Sequence, residues 1–488
     1  MFTPSTRTSI QVKYQGLTSD QGLSYYVLLT AKSVTGLKGI ALNTVTKLND
    51  IPKKAISFET IQIGRLYIAR DTFTPPPLPT GSLDYGWIEL TKVSPNAPVW
   101  INLTAVDEIS LPLILSGTEA DSGKAFSLGY RIPIAADPGA PSLISMVEAI
   151  LVDQTPVINT TTGETKIAAP TQYPASYPSF APYLKALTEK KRTPITIQSD
   201  SPSNGPPKLF KGYFEKAQIL ADDGEPDDDL PLITLTSQDS AKDKLVIQRK
   251  DFTSEIIYRC GGGELMYNGV SYPQNRTAEN DPGSTANQRL ITNSVFRRLV
   301  IGINEGYFSP DGPNDSRIFS GMEPFSDNRG NLYAKAVYQA SNAYGFPYAD
   351  ANLKTLIKAQ SNGVIKLGIL SSTQAQGYQN YPKTPSDGLY QFGIGADSQS
   401  LGAIRIGEWT YEANDAGAYG GYLPYLPDWT RMHFTGLGSD HYIWIKNGAV
   451  AAGDCLSAAP SWNSSQTYLS WPADLSWVTG QTPPAKPT

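Results

Sequence analysis

"WIELTKVSPNAPVWINLTAVDEISLPL", residues 87–113, holds two runs of alternating apolar and polar residues, WIELTKV and VWINLTAV, around a turn rich in Pro, Asn and Ser. Alternation of period two marks strands with one face buried, so the stretch predicts a β-hairpin. Its oddity is charge. Glu89 stands inside the first run and Asp107 ends the second, where a sheet favours Thr or Val. Taking Asn96-Ala97-Pro98 as a three-residue turn sets Pro95 opposite Val99 and Glu89 opposite Ala105. Asp107 then lies two residues further on, on the face of Glu89. A slip of one residue would send the two carboxylates to opposite faces.

The bulk numbers narrow what such a pair can serve. The chain of 488 residues is long enough for two or three domains. Forty Lys+Arg against forty-five Asp+Glu give a net charge of −5, which argues against a nucleic-acid partner, since that selects a basic face. The 27 Tyr, 8 Trp, 42 Gly and 38 Pro suggest many short strands and long ordered loops. Such aromatic content suits a carbohydrate partner, and equally a sheet filled with Tyr. Cys260 and Cys455 either bridge or stand as two thiols, and no metal-binding spacing exists. The only histidines, His433 and His441, make no multi-His zinc site. Any catalysis therefore falls to carboxylates, and no metal or cofactor is called for. No run reaches the ~18 apolar residues of a membrane helix. The start, MFTPSTRTSIQVKYQGL, lacks the basic-then-apolar pattern of a signal peptide.

Along the chain, residues 1–135 read as β throughout, with "LSYYVLLTAKS", "AISFETIQIGRLYIAR" and "AFSLGYRIPIA" beside the hairpin. Helical spacing begins in 136–372, at "SLISMVEAIL" (142–151), "FAPYLKALTEKK" (180–191) and "TANQRLITNSVFRRLVIGINEG" (285–306). "NLYAKAVYQASNAYG" (331–345) predicts a helix closed by its final Gly. The acidic run "DDGEPDDD" (222–229) lacks the ligand alternation of an EF-hand and reads as a solvated loop. "RCGGGEL" (259–265) lacks a phosphate-loop pattern and reads as a tight turn. Residues 373–488 turn β-rich again, hold six of the eight Trp, and end in a tail that reads as disordered. Their Trp and Tyr suit either a sugar platform or a plain core.

A strand rise of about 3.4 Å and a spacing of about 4.8 Å put the backbones at Glu89 and Asp107 roughly 8 Å apart. Two carboxyls that flank a glycosidic bond with a water between them stand roughly 6.5–9.5 Å apart. The same spacing also describes two ordinary solvated carboxylates on an outer face.

The segment resembles the signature of glycoside hydrolase family 64, the thaumatin-like β-1,3-glucanases. An aromatic-apolar-Glu-apolar-Thr strand is matched by Trp87, Ile88, Glu89, Leu90 and Thr91, followed by Asn102, Val106, Asp107, Leu111 and Pro112. "GRLYIA" (64–69) resembles the family's GRIY-like strand, and "NLYAKAVYQASNAYGFPYADA" (331–351) its helix leading into Tyr-Gly-Phe-x-Tyr-Asp-Asp. The likeness spans residues 24–372. Ala349 departs from it, standing for the first Asp of the pair and leaving Asp350; so does the poverty in Cys.

The resemblance implies a mainly β fold with an α/β part. In it a thaumatin-like β-sandwich (1–135) packs against a mixed α/β region (136–372) around a glucan cleft, with 373–488 as a β-rich extension. It also implies an extracellular, endo-acting, inverting β-1,3-glucan hydrolase. Glu89 falls on the general acid, which needs a dry setting, and Asp107 on the general base, with polar neighbours. The substrate contacts expected are Trp87, Asn102, Thr104, Tyr344, Tyr348 and Asp350. The rival readings are a non-catalytic glucan-binding or surface protein on the same fold, or an assembly component.

Overall fold

A computed structural model describes residues 7–370 except 15–23, 131, 136–141, 190–191, 202–205, 217–229, 241, 275–285, 313, 323, 326–328 and 349–355. Beyond 370 it describes the strands of two further sheets, of four and five strands, between Tyr390 and Ser470. The chain is mainly β, with several sheets and a few helices. In order come β1 (Thr8–Tyr14), β2 (Tyr26–Thr30), β3 (Ser33–Thr35), β4 (Thr46–Lys47), β5 (Ala55–Phe58) and β6 (Thr60–Ala69). There follow β7 (Tyr85–Lys92), β8 (Val99–Thr104), β9 (Glu108–Ile109), β10 (Leu113–Thr118), β11 (Ala125–Leu128) and helix α1 (Leu143–Glu148). The middle third holds β12 (Val157–Asn159), β13 (Thr165–Ala168), α2 (Ala181–Thr188), β14 (Thr193–Gln198), β15 (Leu209–Phe214), β16 (Pro231–Ser237) and β17 (Lys244–Gln248). Then come α3 (Ser254–Arg259), β18 (Glu264–Tyr267), β19 (Val270–Pro273), α4 (Ala286–Asn304), α5 (Leu332–Ala340), β20 (Ile357–Ala359) and β21 (Val364–Ile369).

Two sheets share the first core. One has the order β11-β10-β21-β1-β5; the other runs β20-β8-β7-β6-β2-β4, with β3 also on β6. Ile10, Val12, Leu115 and Leu367 from the first join Leu66, Ile88, Leu90 and Ile101 from the second in one apolar cluster. The boundary expected at residue 136 does not separate these sheets. β21 lies parallel to β1 and β20 pairs with β8, so the last strands before 370 return to complete what the first 135 residues begin. A third sheet is an antiparallel meander, β14 to β19 in sequence order, with α4 packed on β14 and β18. No helix among the described residues is long and apolar enough to cross a membrane.

The helices at 142–151, 180–191 and 285–306 form near their expected places. Ser142 caps α1, its hydroxyl accepting from the Ser145 amide while the Ser145 hydroxyl accepts from the Ser142 amide, a reciprocal cap. The fourth helix ends early. α5 stops at Ala340, and Ser341 turns extended and hydrogen-bonds the Val337 carbonyl at 2.8 Å. Gly345 is not its cap. A Cβ there would come within 2.8 Å of the Ala334 Cα, so the glycine lets the returning chain lie against α5. Cys260 is buried with a left-handed backbone that closes α3, the turn expected at 259–265. The acidic run 222–229 and Cys455 lie outside the described residues.

Candidate functional site

The hairpin forms, but in a register different from the expected one. Ser94–Ala97 makes the turn, the Ala97 amide donating to the Ser94 carbonyl at 3.1 Å. Pro95 and Asn96 occupy the central positions that suit them. Pairing therefore runs Thr91 with Trp100, Glu89 with Asn102 and Trp87 with Thr104, so Glu89 faces Asn102 and not Ala105. Three residues of slip would put Asp107 on the far face if β8 continued. It does not continue. The Val106 amide donates to the Thr104 hydroxyl at 3.2 Å, and the chain bends before Asp107.

Rows of side chains cross the sheet at this point. Arg65 of β6 lies opposite Glu89, which lies opposite Asn102. One step along, Tyr67 pairs with Trp87, Trp87 with Thr104, and Thr104 bridges to Tyr344. Paired residues share a face, so Arg65, Glu89, Asn102, Tyr67, Trp87, Thr104 and Tyr344 share one. A bulge in β6 between Ile61 and Gly64 adds one residue there. It reverses the alternation, keeping Ile61 and Leu66 in the core and turning Arg65 and Tyr67 to the side of Glu89.

Glu89 is held from both sides. The Tyr344 hydroxyl donates to its Oε2, and Arg65 Nε lies 3.5 Å from its Oε1. Its side chain is 31% exposed, so the dry setting expected for it is absent: the groups around it are polar and the face is open. Arg65 also sits 4.8 Å above the Trp87 ring, which stacks on Tyr67 at 5.6 Å. Trp87 is only 2% exposed and serves as the floor beneath Arg65.

Asp107 reaches the same cluster by another route. Burial works against the charge of Arg65, but Tyr67, Glu89 and Asp107 favour it, and its pKa rises. Burial likewise pushes the Tyr67 hydroxyl up, opposed by Arg65 and reinforced by Asp107 and Glu89. Both carboxylates thus act on one guanidinium and one phenol. The bend carrying Asp107 is pinned by its neighbours: the Ala105 carbonyl accepts from the Tyr333 hydroxyl at 2.5 Å, that of Val106 from Thr171 at 2.8 Å, and that of Asp107 itself from the Ala169 amide at 2.9 Å.

The structure therefore gathers Glu89, Asp107, Trp87, Asn102, Thr104 and Tyr344. The Thr104 hydroxyl is taken up in making the bend. Asn102, at 2% exposure beside Glu89, leaves its buried Oδ1 without a hydrogen-bond partner. Tyr348 turns to α3, its hydroxyl donating to the Cys260 carbonyl at 3.3 Å. Asp350 lies outside the described residues. Two residues escaped the reading of the sequence. Arg65 is one; its signal was the glycine before it in a strand. Trp100 is the other, 38% exposed, two residues from Asn102 on the same face, with Lys358 Nζ 4.9 Å over its ring. Among the described residues no group of His, Cys, Asp and Glu has the arrangement of a metal site.

No family model matches the chain, and no curated protein sequence matches it. Solved structures do resemble it. A β-1,3-glucanase domain (GH64) from Clostridium beijerinckii has a TM-score of 0.47 and 12% identity, covering 75% of this chain and 99% of that one. A laminaripentaose-producing β-1,3-glucanase in complex with laminaritetraose has a TM-score of 0.47 and 14% identity, covering 75% and 98%. A GH family 64 laminaripentaose-producing β-1,3-glucanase from Paenibacillus barengoltzii complexed with laminarihexaose has a TM-score of 0.41 and 12% identity, covering 75% and 76%.

Proposed function

We propose that the chain hydrolyses β-1,3-glucan from within, with Glu89 as general acid and Asp107 as general base. The observation that carries this reading is the face on which Glu89, paired with Arg65 and Asn102 and hydrogen-bonded by Tyr344, lies beside Trp87, with Asp107 on the bend that follows β8. In the proposed reaction Asp107 takes a proton from a water that attacks the anomeric carbon. Glu89 gives one to the departing glycosidic oxygen, so the bond cleaves with one water consumed and the configuration inverted. A glucan laid across the face excludes water from Glu89 and the bond it would protonate. Trp100 offers a flat apolar surface to a sugar ring. The choice of β-1,3-glucan, and an extracellular place of action, rest on the resemblance of residues 64–69, 87–113 and 331–351.

One observation favours a non-catalytic glucan-binding role. Glu89 is held by the Tyr344 hydroxyl and by Arg65, contacts that a binding face keeps without any proton transfer. Incubation with laminarin separates the two. Hydrolysis is expected to release oligosaccharides of several lengths early in the time course; retention of laminarin on the protein with no product released would leave the binding reading.

A further inference from the structure

Glu89 is reached from a distant part of the chain. After α5 ends at Ala340 the backbone turns back along the end of β8. The Asn342 amide donates to the Gly129 carbonyl at 2.9 Å, and the Tyr344 amide to that of Leu103 at 3.2 Å. The Tyr344 carbonyl in turn accepts from the Ala105 amide at 2.9 Å. Tyr344 is thus bracketed by main chain on both sides of Thr104, with which it forms a parallel bridge. The Ala343 amide donates to the Ser341 hydroxyl at 3.1 Å, and Gly345 packs so closely on α5 that a Cβ would come within 2.8 Å of the Ala334 Cα. These contacts set the backbone that carries Tyr344 without calling on its side chain.

The side chain is spent on Glu89. The Tyr344 hydroxyl donates to Glu89 Oε2. The resemblance implies Tyr344 as a substrate contact, yet at 3% exposure it presents almost no surface to a sugar. From the other side Arg65 Nε stands 3.5 Å from Glu89 Oε1, beyond the roughly 2.7–3.2 Å of an N–H···O hydrogen bond. The two oxygens therefore differ: Oε2 accepts from a buried phenol, and Oε1 has a guanidinium at longer range. A Glu side chain that is 31% exposed samples several staggered rotamers unless a contact of this kind selects one.

We propose that Tyr344 is a positioning residue for Glu89: its hydroxyl fixes Oε2 and leaves Oε1 as the oxygen that gives the proton to the departing glycosidic oxygen. This rests on the role proposed for Glu89. In that step the O–H bond at Oε1 breaks as one forms on the leaving oxygen, Glu89 ends as a carboxylate, and the Tyr344 proton stays where it is. Tyr344 touches no reacting atom. Its contribution is geometric, and a misplacement of about 1 Å at a reacting group costs roughly 10²-fold.

The test is Tyr344→Phe, which removes the hydroxyl and keeps the ring. Rates on laminarin are compared with each protein at its own pH optimum, so that a displaced titration is not counted as lost positioning. The variant is expected to lose about 10–10²-fold in kcat and to keep KM within about twofold, as for a residue the substrate does not touch. Crystal structures of the two proteins give a readout that needs no turnover. Glu89 is expected in one rotamer in the wild type, and displaced or in several rotamers in the variant. An unchanged kcat, a raised KM at unchanged kcat, or a Glu89 side chain that keeps its place in the variant overturns the proposal. Should Tyr344→Phe not fold, Tyr344→Leu carries the same expectations. If neither folds, the hydroxyl serves the fold alone and the proposal fails. A wild type that leaves laminarin intact defeats the proposed function, and the crystal structures then still decide whether Tyr344 holds Glu89.

Discussion

Glu89→Gln is expected to hydrolyse laminarin about 10²–10⁴-fold more slowly than the wild type, and Asp107→Asn to lose a similar factor, the usual contribution of a positioned acid or base. Each change keeps the shape of the side chain and removes one proton-transfer function. Neither should cost much stability. Glu89 is 31% exposed with a single ion pair at 3.5 Å, and such half-exposed pairs contribute about 0–1 kcal/mol. The Gln amide retains an oxygen for the Tyr344 hydroxyl. At Asp107 the bend is held by main-chain and neighbouring contacts, including the Ala169 amide at 2.9 Å, which Asn leaves in place. The measurement is a laminarin rate beside a thermal melt. A variant that melts with the wild type and keeps its full rate would show that the substituted residue is neither the acid nor the base.

Gly212→Ala is expected to destabilise the chain by about 3 kcal/mol or more while leaving the activity per folded molecule unchanged. Gly212 stands in β15, paired with Ile195 on one side and Leu235 on the other. A Cβ at this position would meet the Thr234 carbonyl oxygen at 1.8 Å and the Leu235 Cα at 2.8 Å. No rotamer relieves a clash with main chain, and β15 cannot move from β16 without straining its ladder with β14. The cost therefore exceeds the usual range of about 1–3 kcal/mol for an overpacked site. The rows that hold Glu89 belong to a different sheet. Denaturant unfolding and the rate of the surviving native fraction check the two halves; a variant as stable as the wild type would show that β15 and β16 pair in another register.

The hairpin is legible because WIELTKV and VWINLTAV alternate with a period of two, and so, for the same reason, is the β character of residues 1–135, whose described part runs in strands from Thr8 to Leu128. Its register was not read correctly, although a signal existed. Ser94-Pro95-Asn96-Ala97 has the residues of a type I turn, and centring the turn there sets Glu89 opposite Asn102. Asp107 does not continue the strand of the hairpin as its spacing suggests: β8 ends at Thr104, and a bend held by the Thr104 hydroxyl leads into Asp107. Arg65 was hidden because a single extra residue before Gly64 reverses which side chains share a face. Tyr344 reaches Glu89 from 255 residues away, which cannot be seen in local periodicity. The helix at 331–345 was overextended because its Gly looked like a cap, whereas close packing on Ala334 explains it.

The central claim is that water, activated by Asp107, attacks directly while Glu89 protonates the leaving oxygen. The most direct measurement is proton NMR of the reducing ends first formed from laminarin, recorded before they mutarotate. Inversion at a β-linkage predicts the α anomer in those first spectra. The β anomer as initial product would mean a retaining, covalent route and would contradict the account.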